Sequence, residues 1–326
     1  MISAVIPVFN EKESLGSFYK KLVGELSKID KKYEIVFIDD GSTDSSLEIL
    51  KQINKNNKQV RIYSLRRRGG KAEALTLGFQ KAKGDYIVTL DADLQDKPKE
   101  IPKLLKIATE GNWDIVSGWR KDRKDSLGKI ISSKFFNFIV KMFWGLKLHD
   151  YNCGLKLYSN EVAKSLNLYG GMHRFIPLLA YEQGFAVTEV VVEHDERKYG
   201  KSKYGFSKIM KDLPDMFTML FLTKYGKKPL HFFGAVGAIF LLVGIAILIY
   251  LTILHFQGYA ISRRPLLFLG MLLIITSLQV LFTGFLADLI INISSKREKV
   301  FTLKYSSPEA QTIVFLPMRL SREKVN

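Results

Sequence analysis

The first third of the chain alternates short apolar runs with longer amphipathic stretches. The runs lie at Ile2–Val8, Glu34–Ile38, Val60–Leu65 and Tyr86–Leu90, with helix-like stretches at about Ser14–Ser27, Ser45–Asn54 and Lys71–Ala82 between them. A strand covered on both faces has no polar side to alternate with. Such runs separated by helices therefore predict an α/β fold with a mostly parallel, Rossmann-like sheet. Turn residues fall where this arrangement needs them: Asp40-Gly41-Ser42 after the second run, Gly69-Gly70 before the third helix and Lys83-Gly84-Asp85 after it. Further strands are predicted at Asp114–Gly118 and Val187–Val192, and a basic, aromatic-rich helix at Lys129–Leu146.

The last third has a different pattern. Phe232–Leu254 and Pro265–Ala287 contain no charged residue, and each is long enough to cross a hydrocarbon core of about 30 Å as a helix. The link between them, His255–Arg264, is short, so the two predict a transmembrane hairpin. Lys224, Lys227 and Lys228 precede it and Lys296, Arg297 and Lys299 follow it, whereas the link offers only Arg263 and Arg264. The positive-inside bias predicts a multi-pass inner (plasma) membrane protein with both termini and the soluble part in the cytoplasm. Phe206–Tyr225 mixes apolar residues with Lys208, Lys211 and Asp212 and predicts amphipathic helix on the membrane surface. The expected organisation is a soluble domain over residues 1–205, juxtamembrane helices over 206–229, a hairpin over 230–293 (spans at about 232–254 and 265–290) and a tail over 294–326. Within the tail only Thr312–Leu316 has strand character.

Composition adds a partner class. Lys and Arg number 49 against 32 Asp and Glu, a net charge of +17. An excess of this size calls for an anionic partner, whether nucleic acid, an anionic lipid membrane face or a phosphorylated substrate, and no nucleic-acid motif is present. A single cysteine, Cys153, excludes an internal disulfide and points to a reducing compartment. Met1 leads straight into a strand-like run, so no secretory leader is expected.

The candidate chemistry sits at strand ends. Leu90-Asp91-Ala92-Asp93-Leu94-Gln95 closes the fourth run. Two carboxylates one residue apart at the mouth of a sheet suit a hard divalent cation, but alone they are better read as an Asx-type turn capping the next helix. Their company decides between the two. Pro7-Val8-Phe9-Asn10-Glu11, Asp39-Asp40-Gly41-Ser42 and the Arg66–Lys71 loop also follow strands. A doubly wound sheet gathers such loops into one crevice. Neither GxGxxG nor GxxxxGK[ST] is present, which argues against a dinucleotide fingerprint and a P-loop.

In this order and spacing, Pro-Val-Phe-Asn-Glu, Asp-Asp-Gly-Ser-Thr-Asp, Gly-Lys-Ala-x-Ala-Leu and Leu-Asp-Ala-Asp-Leu-Gln-Asp resemble a family 2 glycosyltransferase of the GT-A fold. Ser117-Gly118-Trp119-Arg120, Asp150–Lys156 and Gly200-Lys201-Ser202-Lys203-Tyr204 resemble its polyprenyl-phosphate branch, which includes dolichol-phosphate mannose synthases and bacterial undecaprenyl-phosphate glucosyltransferases. The likeness covers roughly Ile2–Ile293 and leaves the tail outside. It implies a nucleotide-sugar donor held by Pro7, Glu11, Asp40, Lys71, Asp91, Ala92, Asp93 and Arg197. It implies Mg²⁺ or Mn²⁺ on Asp91, Asp93 and Gln95, and a polyprenyl phosphate acceptor held by Arg120, Lys129 and Ser133. Lys129 stands where such enzymes often carry Arg, keeping the charge and losing the bidentate fork. Asp91, Asp93 and Arg120 are the implied catalytic residues.

The chemistry implied is inverting hexosyl transfer, with uridine the favoured nucleotide by likeness to the two-span bacterial members. An acceptor phosphate oxygen is already anionic, so no strong general base is needed. That accords with the lack of an evident His/Asp base pair. A homo-oligomer, dimer or tetramer, assembled through the hairpin is also implied. Two other readings compete. A processive polysaccharide synthase calls for more spans and a Gln-x-x-Arg-Trp motif; Trp occurs here only at 113, 119 and 144, never after Gln-x-x-Arg. A silent membrane scaffold does not need the intact Asp91/Asp93 pair. His194, after the last predicted strand, suits either a diphosphate contact or a structural role.

Overall fold

The computed structural model describes residues 1–121, 145–195, 218, 221–226, 228–261 and 265–294. The expected helices at Lys129–Leu146 (to residue 144) and Phe206–Tyr225 (but for six residues), the tail strand, and Lys129, Ser133 and Arg197 lie outside them.

The soluble part is built on one seven-stranded sheet in the order β3-β2-β1-β4-β6-β5-β7. Its strands are β1 (Ile2–Val8), β2 (Tyr33–Asp39), β3 (Val60–Ser64), β4 (Tyr86–Thr89), β5 (Ile115–Trp119), β6 (Lys156–Ser159) and β7 (Val187–Val191). The first four are parallel, as the apolar runs predict, and β5 and β7 are parallel to each other. β6 runs antiparallel between β4 and β5 and was not anticipated. It has only four residues and opens on the buried Lys156, so no apolar pattern announces it. Register pairs Val8 with Asp39 and Asp39 with Ser64, so β1, β2 and β3 end at one level.

Alternate strand residues feed two cores. Ala4, Ile6, Phe37 and Val88 meet α1 (Leu15–Ile29), α2 (Ser46–Asn56) and α4 (Ile101–Gly111) on one face. Val5, Ile38, Ile87 and Tyr158 meet α3 (Lys71–Lys81), α5 (Asn160–Ser165) and α6 (Ile176–Glu182) on the other. The sequence reading assigned no helix at α4, α5 or α6. Pro98 and Pro102 resemble breakers before α4, yet Pro in a first helical turn gives up an N–H that has no intrahelical partner there.

α7 (Pro229–Phe256) and α8 (Pro265–Ser294) are long and apolar enough to cross a membrane, and they pack as a hairpin. Their seam repeats every seven residues: Gly237 and Gly244 on α7 face Gly270, Ser277 and Gly284 on α8. Small residues let apolar helices approach closely, which is how helices associate where water supplies no driving force. A side chain at Gly244 would lie 2.8 Å from Ile274 and 3.0 Å from the Gly270 carbonyl, while one at Gly234 meets nothing within 4 Å. Gly244→Leu is therefore expected to lower the melting temperature of the detergent-solubilised protein by several degrees, and Gly234→Leu to leave it unchanged. Equal melting of the two variants would contradict this seam.

Candidate active site

The loops after β1, β2, β3, β4, β5 and β7 open on one edge of the sheet. The first two are joined by side chains. Asn10, at φ 57, accepts the Thr43 amide (2.8 Å) and donates its own amide to Ser42 Oγ (3.0 Å). Glu11 accepts Ser14 Oγ (3.0 Å) and donates its amide to Ser46 Oγ (2.9 Å), starting α1 beside the start of α2. Pro7 sits half-buried near the end of β1.

Asp40 is buried, and its carboxylate organises the next loop. Oδ1 accepts the amides of Gly69 (2.7 Å) and Gly70 (3.0 Å), and Oδ2 also meets Gly70 at 3.0 Å. Gly70 has φ 94 and Gly41 φ 67. A Cβ on Gly41 would lie 2.9 Å from the Arg67 carbonyl carbon, so only glycine lets the Arg66–Gly70 loop rest there. The loop delivers Lys71 to the first position of α3, and its Nζ donates to Asp91 Oδ1 at 2.5 Å. Over the same mouth the Arg68 guanidinium lies 4.1 Å from the Phe9 ring centroid.

The acid loop follows β4. Asp93 Oδ1 accepts the Gln95 amide (3.2 Å), an Asx turn, and Leu94 takes the left-handed conformation at φ 66. The turn and the paired carboxylates are thus one structure. Asp91 lies among many neighbouring atoms yet keeps its side chain 39% exposed to the crevice. Burial opposes its ionisation, but the Lys71 ammonium outweighs that and holds the carboxyl below the usual range. Asp96, buried behind it, receives the Asp91 amide at 3.5 Å and pairs its backbone with His194. A Cβ on Gly154 would overlap Asp96 Oδ2 and come within 2.9 Å of Asp91 Oδ2, so this glycine lets both acids close in.

Gln95 Nε2 lies 3.4 Å from His194 Nε2 and 3.3 Å from the Asp195 carbonyl. Lys97 bridges Glu193 (3.0 Å) and Asp195 (2.7 Å), tying the segment after β7 to the acid loop. His194 Nδ1 is buried with no hydrogen-bond partner, 3.4 Å from Asp96 Oδ1. Among the described residues no three His, Cys, Asp or Glu groups form a closed cation cage. The open set fits a hard divalent cation all the same: Asp91 and Asp93 supply carboxylate oxygens, Lys71 already neutralises one of them, and the orphaned His194 nitrogen faces the same loop.

On the far side Arg120 is clasped by Asp150, Nε to Oδ2 at 2.7 Å and Nη2 to Oδ1 at 3.0 Å. Next to it Trp119 stacks on His149 at 4.0 Å, and Glu189 accepts from His149 and Asp150 amides. Beneath lies Lys156, whose Nζ donates to the Cys153 carbonyl. Asp96, Asp150, Lys156 and His173 were given no role from the sequence; Asp96, Asp150 and Lys156 stood inside quoted motifs, whereas nothing marks His173. Burial pulls the Lys156 ammonium down to about 8. Unfolded, it keeps its proton to about 10.4. Between these values the unfolded chain binds more protons, so the Lys156 contribution to stability rises with pH across that window; below it the burial cost is felt in full. Lysine-selective NMR is expected to find one resonance titrating near 8, and a lysine set that titrates wholly near 10.4 would contradict this.

Residues 3–166 match the family model described as glycosyl transferase family 2. The chain belongs to that family. It is 36% identical over 296 residues to the dodecaprenyl-phosphate galacturonate synthase of Rhizobium johnstonii, spanning 89% of this chain and 87% of the relative. It is also 36% identical over 255 residues to the undecaprenyl-phosphate 4-deoxy-4-formamido-L-arabinose transferase of Edwardsiella ictaluri, 78% of this chain and 77% of the relative. Its fold is similar to crystalline glucosyl-3-phosphoglycerate synthase of Mycobacterium tuberculosis in complex with Mn²⁺, uridine diphosphate and phosphoglyceric acid. There the TM-score is 0.50 at 19% identity, over 69% of this chain and 78% of that one. The seven-stranded sheet is accordingly a GT-A glycosyltransferase sheet, and the protein is a glycosyltransferase.

Proposed function

We propose that this glycosyltransferase moves a sugar from a nucleotide-sugar, a uridine diphosphate sugar, to a polyprenyl phosphate at the cytoplasmic face of the inner membrane. The observation that carries the reading is one chain that joins an acid-lined crevice to a hairpin of two apolar helices. Its likeness to two polyprenyl-phosphate transferases supports it. A polyprenyl tail leaves the bilayer only at a cost of about 0.8 kcal/mol per methylene, so the catalytic domain has to come to the lipid. The domain divisions expected from the sequence, with cytoplasmic termini and assembly as a dimer or tetramer, belong to the same reading.

In this reading Pro7, Glu11 and Asp40 hold the nucleoside. Asp91 and Asp93, with Gln95, would hold Mg²⁺ or Mn²⁺, which would supply Lewis-acid stabilisation of the departing diphosphate. Lys71 exchanges its bond to Asp91 for the donor diphosphate, and Arg197 is assigned to the same diphosphate by the family resemblance. Asp150 fixes the Arg120 guanidinium, whose remaining N–H groups, with Lys129 and Ser133, take the acceptor phosphate. The ionised phosphate oxygen attacks the anomeric carbon in line, the bond to the nucleoside diphosphate breaks, and the configuration inverts. Positioning and charge management do the work.

The test is a donor panel. Purified protein, Mn²⁺ and undecaprenyl phosphate are incubated with uridine- and guanosine-diphosphate sugars, and lipid products are read by mass spectrometry. A glycosylated polyprenyl monophosphate with at least one uridine donor is expected. Absence of glycolipid with every donor would favour a silent scaffold, and a growing glycan would favour a processive synthase.

A further inference from the structure

The loop that carries Asp91, Asp93 and Gln95 forms neither helix nor strand between the end of β4 at Thr89 and the turn that opens at Pro98. Inside it, the Gln95 amide reaches Asp93 Oδ1 at 3.2 Å and the Asp91 amide reaches Asp96 Oδ2 at 3.5 Å. Both contacts are long. The second half of the loop is held instead by the segment after β7. Asp96 and His194 pair as an isolated antiparallel bridge, and the Asp195 amide donates to the Gln95 carbonyl at 3.0 Å.

The Gln95 side chain is held from the same direction. Its Nε2 donates to the Asp195 carbonyl at 3.3 Å and lies 3.4 Å from His194 Nε2. A backbone carbonyl only accepts, so this contact decides which end of the carboxamide is used there. The nitrogen faces Asp195, and among the described residues Gln95 Oε1 accepts no hydrogen bond. A hard cation takes oxygen ligands, and the carbonyl end of a side-chain amide is the one it can use. The backbone at Asp195 therefore leaves Gln95 the end that a cation needs.

That backbone is clamped in turn by Lys97. Its Nζ lies 2.7 Å from Asp195 Oδ1 and 3.0 Å from Glu193 Oε2, the two acids that flank His194. Lys99 also pairs with Glu193, at 2.7 Å. The Lys97 side chain is half as exposed as that of Lys99, 24% against 50%. Ion pairs open to water add little to global stability, so the effect of this clamp is local.

We propose that Lys97 is a positioning residue for the cation: by holding Asp195 against the acid loop, it fixes the Gln95 carboxamide with its oxygen available to Mg²⁺ or Mn²⁺. The proposal rests on the reading above in which Gln95 is a ligand. Bare electrostatics predicts the opposite sign. Removing an ammonium near a cation site, and releasing the two carboxylates that it neutralises, strengthens cation binding. Losing an outer partner that orients a ligand weakens it.

The experiment titrates the full-length protein in detergent, with UDP present, with Mn²⁺, and reads the free ion by electron paramagnetic resonance. Lys97→Met keeps the apolar stem and removes the ammonium, Lys97→Arg restores the charge, and Lys99→Met removes the neighbouring lysine. The Mn²⁺ Kd is expected to rise about 10-fold in Lys97→Met and to recover most of that in Lys97→Arg. In Lys99→Met it is expected to stay within about twofold of the wild type. Combined with Gln95→Ala, Lys97→Met should weaken binding no further, because it acts through that side chain. Unchanged or tighter Mn²⁺ binding in Lys97→Met, or additive weakening in the double variant, would overturn the proposal. Should Lys97→Met fail to fold, Lys97→Gln carries the same comparison. Gln95→Ala alone separates the two failures. If it binds Mn²⁺ as the wild type does, the ligand reading of Gln95 falls and this one with it; if it binds weakly while Lys97→Met does not, the role of Lys97 alone falls.

Discussion

Asp93→Asn is expected to lower sugar transfer by about 10²- to 10³-fold, the usual loss when a preorganised charge at the reacting centre is removed, without lowering the melting temperature. The local geometry gives this its sharpness. Asp93 is 8% exposed, and its Oδ1 accepts the Gln95 amide in the turn that sets the acid loop. Asparagine keeps that acceptor oxygen, so the Asx turn and the left-handed Leu94 survive. What is lost is one negative charge that the proposed reading places at the cation and diphosphate. Were Asp93 only a turn residue, Asn would be silent in activity as well. Asp91→Asn has a different signature, because it also removes the charge that pairs with the Lys71 ammonium at 2.5 Å. It should weaken metal dependence and alter diphosphate affinity together. Rate against Mn²⁺ concentration for the two variants, with melting curves, checks both.

The second large effect is on stability. The Arg120 and Asp150 side chains are 9% and 6% exposed and form a two-bond fork. Burial disfavours the guanidinium charge, but the Asp150 carboxylate outweighs this and holds the Arg120 pKa above its ordinary value. Removing one partner leaves the other charge buried and unpaired, which costs about 3–5 kcal/mol. Asp150→Ala is therefore expected to melt roughly 10 °C lower than the wild type. A paired replacement, Arg120→Met with Asp150→Leu, should recover most of that loss while abolishing transfer, because it restores packing and removes the guanidinium proposed to hold the acceptor phosphate. If Asp150→Ala melts with the wild type, the pair is not the buried fork described above.

How much of this was legible in the sequence follows from burial and range. β1 to β4 stood out because parallel strands covered on both faces must be apolar throughout, and the glycine-bearing turns marked their ends. β6 did not, since Lys156-Leu157-Tyr158-Ser159 has neither length nor alternation, and its place depends on pairing with β4 and β5. α4 hid behind Pro98 and Pro102, whose rule as breakers holds inside a helix and not at its start. Within the site, Asp91 and Asp93 declared themselves through their chemistry at a strand end. The pairs that set their electrostatics did not: Lys71 is 20 residues from Asp91, and Arg120 is 30 from Asp150. Such pairs are fixed by sheet order, which local spacing does not encode. His173 is the extreme case, where an isolated residue gains its character only from what the fold packs around it. The hairpin seam lies between these extremes, since its seven-residue spacing of Gly and Ser is visible only once the two helices are laid against each other.

The central claim is that the sugar alone moves, onto a lipid phosphate, with a nucleoside diphosphate as the leaving group. The most direct measurement resolves the nucleotide and lipid products of one reaction with undecaprenyl phosphate, a donor accepted in the panel, and Mn²⁺. The account predicts one nucleoside diphosphate released per glycolipid, a lipid carrying a single phosphate in a phosphodiester, and no release of either when the acceptor is omitted. A nucleoside monophosphate with a lipid diphosphate, or equal release of nucleotide without the acceptor, would contradict it.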